Sequence, residues 1–224
     1  MTAKENRTMT YVIMCGGEYK VFSQPRPLTE ICGERLIERT IRLLKENGQT
    51  DIVITSNDPV FDQYGKRLEH ENSYVAKEKG QDGCWLDAFY PYFDDDMKVT
   101  YLYGDVWYSE DAMRKIVSCE KPGNVLFGTS VAKNHQHKNW GEPFAYVVRD
   151  YRTFMCGVDM VKQMWKAGNV NRNPLTWELY RYLNGFDVNV QRINDDTYVC
   201  IDDLTADIDS PEQVWLMERK IERG

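Results

Sequence analysis

The stretch YVIMCGGEYKVFSQPRPLTEICGERLIERTIRLLKENGQTDIVITS, residues 11–56, decides how this chain folds. It opens in a short apolar run, residues 10–15, of the kind a buried strand needs, and the run stops at Gly16 and Gly17. Paired glycines at the carboxyl end of a strand let the backbone turn sharply and bring bare N–H groups against a ligand, because no Cβ stands in the way. A loop with two cations, Lys20 and Arg26, follows, and Pro25 and Pro27 stiffen the backbone around the second. From Glu34 the period changes: Leu36, Ile37, Ile41 and Leu44 share one helical face, and Gly48 ends the helix after Asn47. Ile52, Val53 and Ile54 then make a second buried strand. A parallel strand-helix-strand unit with a glycine turn and a cationic loop at its carboxyl edge is where open α/β sheets bind phosphorylated ligands.

Two acidic segments point to the same edge. In KVTYLYGDVWYS, residues 98–109, an apolar strand ends in Gly104-Asp105, and Ser109 caps a helix whose first turn carries Glu110 and Asp111. Alone, Asp105 reads as a turn residue or a cap. Its position after a glycine at a strand's carboxyl end places it beside the first loop. In IDDLTADIDSPEQVWLMERKIE, residues 201–222, Asp202, Asp203, Asp207 and Asp209 precede a helix that Ser210, Pro211 and Gln213 begin as cap, first-turn proline and capping box. Asp202 and Asp203 are read as favouring the helix amino terminus. Asp207 and Asp209 alternate on an extended segment, so both carboxylates point the same way.

These residues resemble the nucleotidyltransferase family that includes sugar-nucleotide pyrophosphorylases and choline-phosphate cytidylyltransferases. That family begins with an apolar strand, a G-x-G-x-R loop, P-K-x-L, a short I-x-G turn and L-I opening a long helix. Here Gly16 and Gly17 fall on the glycine loop, Lys20 on its arginine, Arg26 on the P-K lysine, and Leu36 and Ile37 on the helix start. The loop is shorter than the family's and lacks the second spaced glycine. Arginine in place of the lysine keeps the charge and adds a planar fork suited to phosphate oxygens, but the two are not interchangeable.

The resemblance implies an α/β fold: a three-layer sandwich with a mixed, mostly parallel sheet, Rossmann-like, of the nucleotide-diphospho-sugar transferase (GT-A-like) kind. It implies catalytic roles for Lys20 and Arg26, and nucleotide binding at Gly16 and Gly17. Gly83 and Asp87 in QDGCWLDAFYPYF, residues 81–93, match loosely the segment that passes the base and ribose just before a helix. Asp105 matches the family's strand-ending L-G-D aspartate, while Asp207 and Asp209 match its E/D-I-D-[ST] acids, so the three imply a Mg²⁺ site. Magnesium takes oxygen ligands and is commonly held by few carboxylates plus substrate phosphates. Trp140 and Glu142 fall in the acceptor-lining region, where an aromatic face suits a sugar or a quaternary ammonium group.

The implied activity is transfer of an NMP group from CTP, dTTP or UTP to a sugar 1-phosphate or a small phospho-alcohol such as phosphocholine, with release of pyrophosphate. Two other readings stay open. A GT-A-type glycosyltransferase uses the same kind of sheet, although Gly104-Asp105-Val106-Trp107 lacks the second acid of its Asp-x-Asp. A catalytically decayed nucleotide- or sugar-phosphate-binding protein is favoured by the short loop and Arg26, and opposed by retention of Asp105, Asp207 and Asp209.

The remaining sequence is less specific. Residues 124–130 and 143–150 read as strands around a loop, 133–143, in which His135 and His137 sit among lysines and read as solvated rather than metal-ligating. Residues 158–167 and 174–184 read as helices ended by Gly168 and Gly185, with Trp165, Trp177 and Tyr180 as packing. Asp58-Pro59 reads as a turn.

At 224 residues without an internal linker, the chain predicts a polar, disordered extension over residues 1–8 and a single domain over 9–224, which the resemblance implies is a nucleotidyltransferase domain. Six scattered cysteines with no C-x-x-C pair fit reduced thiols and a cytoplasmic location. Neither a signal peptide nor a membrane span is expected. A net charge of −7 and the lack of a basic stripe argue against nucleic-acid partners, so the expected phosphate site is a local positive patch on an acidic protein. The expected partners are a nucleoside triphosphate and a phosphorylated small molecule, with no preference for an oligomeric state.

Overall fold

Strand β1 (Met9–Met14) lies inside the sheet, and every residue from Thr10 to Met14 is buried. The computed structural model describes residues 8–16, 21–70, 83–129 and 141–223. On one side β1 pairs in parallel with β4 (Ile52–Thr55), Tyr11 opposite Ile52 and Met14 opposite Thr55, and β5 (Lys66–Leu68) extends that half in parallel. On the other side β1 pairs in parallel with β6 (Lys98–Tyr103), Met14 opposite Tyr103. Beyond β6 the direction changes. Strand β9 (Pro143–Val148) runs antiparallel to β6 and to β8 (Val125–Gly128), and β10 (Tyr198–Cys200) is parallel to β8. The seven described strands stand in the order β10-β8-β9-β6-β1-β4-β5, a mixed and mostly parallel sheet whose connections turn in opposite directions on either side of β1. That is the topological switch point at which such sheets hold ligands beyond their carboxyl ends.

The alternation of β1 sorts the helices into two layers. Tyr11, Ile13 and Cys15 face α1 (Leu36–Glu46) and α2 (Glu110–Val117), through Ile37, Leu43, Leu44, Met113 and Ile116. Val12 and Met14 face the other way, toward α3 (Tyr151–Lys166) and α4 (Thr176–Leu183), through Phe154, Val158, Trp177 and Tyr180. The expected three-layer α/β sandwich is therefore the observed architecture. Helix α1 takes the face read from its spacing, with Leu36, Ile37, Leu43 and Leu44 buried, and Gly48 closes it at a φ of 75°.

Helix α3 begins earlier than residue 158. Asp150 caps it by accepting the Thr153 N–H at 3.0 Å, so the helix starts directly after β9. Gly157 sits inside it because a Cβ there would come within 2.7 Å of Leu183 on α4, and the two helices could not approach as they do. The segment after Gly83 forms only a short 3-10 turn, Trp85–Ala88, rather than a full helix.

Two small hairpins complete the fold near the carboxyl edge. Strands β2 (Glu30–Ile31) and β3 (Glu34–Arg35) pair around Cys32 and Gly33. Strand β11 (Ala206–Asp207) runs antiparallel to β7 (Val106–Trp107), placing Asp207 opposite Val106. Helix α5 (Pro211–Ile221) then buries Met217 against Ile31, Leu36, Trp107 and Ile208. Among the described residues no helix is long and apolar enough to cross a membrane.

Candidate functional site

Gly104 determines how close the end of β6 lies to the end of β1. Its N–H donates to the Met14 carbonyl at 3.0 Å, and a Cβ on it would stand 2.6 Å from that carbonyl oxygen and 3.1 Å from the Pro27 ring. Only glycine lets the chain pass there, and the next residue, Asp105, is thereby set beside the turn that carries Arg26. That turn is a single 3-10 loop, Arg26–Leu28, in which Leu28 N–H donates to Pro25 and Thr29 N–H donates to Arg26, each at 2.9 Å. The Gln24 amide closes it by donating to the Leu28 carbonyl at 2.9 Å.

The carboxyl-terminal acids reach the same place through β7 and β11. Ile208 N–H donates to the Asp105 carbonyl at 2.9 Å, continuing the β7–β11 ladder into the site. Asp203 strengthens the seam, accepting from the Ser109 hydroxyl and from the Thr205 N–H, both at 2.8 Å. Asp203 thus belongs to the seam with the cap of α2, which Ser109 completes by accepting the Ala112 N–H at 2.9 Å. Asp209 N–H donates to Gln213 at 2.6 Å, and Ser210 caps α5.

Arg26, Asp105, Asp207 and Asp209 consequently meet although they come from three distant segments. One guanidinium nitrogen of Arg26 lies 2.9 Å from Asp105, and the other pairs with Asp209. The Arg26 and Asp105 side chains are 19% and 21% exposed, while Asp209 is 52% exposed. Burial holds the Asp105 carboxyl above the usual range, opposed by the charge of Arg26 and reinforced by that of Asp209. Asp207 has its carboxyl within hydrogen-bonding reach of Asp209, and burial, that contact and the charges of Glu142, Asp209 and Asp105 push it up to about 9. Below Asp105, burial first and the aspartate's charge second raise the Cys15 thiol well above its usual value, so it stays neutral.

The expected metal ligands are therefore brought together, but as a cluster with its own cation. Among the described residues no three ligating side chains already stand in metal-holding geometry. The donor chemistry nevertheless suits a hard divalent ion, since it consists of carboxylate oxygens. Arg26 supplies the positive charge between Asp105 and Asp209.

Glu142 also reaches the cluster, since its charge bears on both Asp207 and the Tyr103 hydroxyl. Its backbone is fixed by reciprocal bonds with Thr129 at 2.9 and 3.0 Å. Tyr103, not among the residues singled out from sequence, bonds through its hydroxyl to that of Thr176 at the start of α4. Its signal lay in the same YLYGD run that carries Asp105.

The other expected site residues are placed differently. Gly16 follows Cys15, whose N–H donates to Thr55 at 2.9 Å, and so lies where β1 leaves the sheet. Gly17, Lys20 and Trp140 fall outside the described residues, as do His135 and His137. Gly83 accepts the Asn173 amide at 2.8 Å. Asp87 accepts the Cys84 N–H at 3.0 Å and pairs with Lys162 of α3 at 2.5 Å. His70 donates from Nε2 to the Asp87 carbonyl, and burial lowers its pKa, which favours the neutral ring. Gly83 and Asp87 are thus tied into the α3–α4 layer. Asp58 is the turn residue expected of it, accepting the Val60 N–H at 2.9 Å.

No family model and no curated protein matches this chain in sequence. Solved structures do match. A Bacillus anthracis protein described as a glucose-1-phosphate thymidylyltransferase, in complex with sucrose, superposes with a TM-score of 0.58 at 11% identity, covering 95% of both chains. The 4-diphosphocytidyl-2C-methyl-D-erythritol synthase of Anaerococcus prevotii gives 0.55 at 12% identity, covering 96% of both. The inositol-1-phosphate CTP transferase of T. maritima gives 0.54 at 13% identity, again covering 96% of both. Across nearly its whole length, this chain has the fold those three structures share.

Proposed function

We propose that this chain is a nucleotidyltransferase that moves an NMP group from a nucleoside triphosphate to a phosphorylated small molecule and releases pyrophosphate. The observation that carries the reading is the meeting of Arg26, Asp105 and Asp209 at the carboxyl edge of β1 and β6, the switch point of the sheet. The fold likeness supports it, because the three similar structures are named for thymidylyl, cytidyl or CTP transfer.

The chemistry asks little of the protein beyond placement and charge. An acceptor phosphate oxygen is anionic at neutral pH and attacks the α-phosphorus directly. As that bond forms, the bond from the α-phosphorus to the bridging oxygen breaks and the electron pair leaves with pyrophosphate. No general base is required. Alignment for in-line attack and neutralisation of the phosphate oxygens are the protein's contributions.

Arg26 is the group we assign to the α-phosphate, where its planar fork binds two oxygens at once. Lys20, Gly16 and Gly17 belong, in this reading, to the β- and γ-phosphates. Magnesium, which Asp105 would hold together with Asp207 and Asp209, would add charge neutralisation at the phosphate oxygens. Glu142, with Trp140, is assigned to the acceptor side. Gly83 and Asp87 remain assigned to the nucleoside, and their ties to Asn173 and Lys162 would fix that wall in place.

A pyrophosphate-release assay tests the proposal. CTP, UTP, dTTP, ATP and GTP are each incubated with Mg²⁺ and with glucose 1-phosphate, inositol 1-phosphate or phosphocholine. Acceptor-dependent release with at least one pair, lost in Asp105→Ala, is the expected result. Binding of a triphosphate by thermal shift without any release would instead favour the non-catalytic binding protein.

A further inference from the structure

Arg26 makes two ion pairs at once, one guanidinium nitrogen on Asp105 at 2.9 Å and the other on Asp209. Its backbone is fixed between Pro25 and Pro27 on a hydrogen-bonded 3-10 turn, so the pairing geometry is held from the main chain outward. A guanidinium can bridge two carboxylates because it presents separate N–H groups in one rigid plane; a lysine ammonium is a point charge and does this poorly. Asp105 and Asp209 are also two of the three carboxylates to which a divalent ion has been assigned, so the two cations seek the same oxygens.

We infer that Arg26 is a resident counter-ion that excludes a divalent cation from Asp105 and Asp209 until a polyphosphate draws the guanidinium away. The inference rests on the nucleotidyltransferase reading for its ligand, and it adds an order of events. In the nucleotide-free protein the carboxylates are neutralised internally and bind a divalent ion weakly. Phosphate oxygens offer Arg26 the same bidentate partner that a carboxylate does. Once the guanidinium turns to them, Asp105 and Asp209 are released, and the ion enters together with the nucleotide. The arginine at this position thus sets the sequence of binding as well as contacting phosphate.

Isothermal titration of the nucleotide-free protein with Mn²⁺ tests this, using wild type, Arg26→Gln, Arg26→Lys and the double variant Arg26→Gln/Asp105→Asn. Removing a positive charge in contact with two carboxylates should tighten Mn²⁺ binding by about tenfold or more. Arg26→Lys, which cannot bridge both acids, should fall between wild type and Arg26→Gln. The gain should vanish in the double variant. Melting curves on all four establish that they are folded. Equal Mn²⁺ affinity in wild type and Arg26→Gln would overturn the inference, as would a gain that survives loss of Asp105 or an absence of Mn²⁺ binding in every variant. Failure of the nucleotidyltransferase reading registers separately, in the pyrophosphate assay, because the titration contains no nucleotide.

Discussion

The backbone N–H of Ile208 donates to the carbonyl of Asp105 at 2.9 Å, and this bond fixes Asp209 one residue later beside the carboxyl end of β6. The paired carboxylates are thereby set by main-chain geometry and not by side-chain reach. Substitutions at the acids themselves should therefore change chemistry more than structure.

Arg26→Ala should abolish most turnover while leaving the fold intact. Loss of one preorganised contact to transition-state charge commonly costs about 3 kcal/mol, roughly two orders of magnitude in rate. The pair with half-exposed Asp209 adds little stability, but loss of the pair with the largely buried Asp105 leaves that carboxyl without its cation. Pyrophosphate release should fall at least about a hundredfold, with a folded protein whose denaturation midpoint is lowered.

Gly104→Ala should damage both stability and activity. The added methyl would stand 2.6 Å from the Met14 carbonyl oxygen and 3.0 Å from the Cys15 sulfur, both in the packed end of β1. Overpacking of this kind costs about 1 to 3 kcal/mol, and relief by movement would carry Asp105 with it. Urea unfolding and the pyrophosphate assay should move together. An unchanged urea midpoint would contradict the close approach.

Glu178→Ala should be among the most destabilising single changes on the α3–α4 layer. The Glu178 side chain is 2% exposed and pairs with Arg172 at 3.0 Å and with the fully buried Arg181 at 3.5 Å. It also accepts the Leu175 N–H at 2.8 Å at the start of α4. Removing it takes the carboxylate from the buried Arg181, which keeps Val188 and Gln191, and leaves the helix start without its side-chain acceptor, a loss of about 3 kcal/mol. Urea melts of the variant and of wild type measure the difference directly.

Without divalent ions, the contribution of Asp207 to stability should fall as pH rises from about 4 to about 9. Its carboxyl is raised from 3.8 to about 9 in the fold, so the folded state holds a proton that the unfolded chain has given up. The contribution is complete below the unfolded value and is lost as pH rises toward the folded one. Asp105 is raised in the same direction. Glu34 is lowered, chiefly by its hydrogen bond to Arg42, and acts only in the acid range. Asp207→Asn should flatten the slope of the urea midpoint between pH 6 and 8.5, a difference of about 1 kcal/mol or more. A slope as steep in the variant as in wild type would remove Asp207 as its source.

The parts legible from sequence were those governed by short-range rules. A buried run ending in glycine made β1, a 3.6-residue period made α1, and Ser109 and Ser210 capped α2 and α5 as their spacing predicts. Asp105 could be proposed from its place at the end of a strand, and Asp207 and Asp209 from the family resemblance that set them beside it. What local pattern could not supply was pairing between remote segments. Strands β7 and β11 are each two residues long, too short for periodicity to register, yet their register joins the acids. Helix α3 was read as starting at residue 158, whereas it starts at Tyr151 and holds Gly157 against Leu183. Arg26 was read as a phosphate ligand from its match to the P-K lysine of the resembled family, its charge and its planar fork. Its two carboxylate partners lie 79 and 183 positions further along.

That separation also dates the site in the life of the molecule. During synthesis β1, α1 and β4 can form their parallel unit long before residue 209 has been made, since all three lie within the first quarter of the chain. The Arg26 clamp closes only once Asp209 has been made and Ile208 has paired with Asp105. A chain stalled before residue 209 therefore carries the Arg26 loop but lacks the clamp.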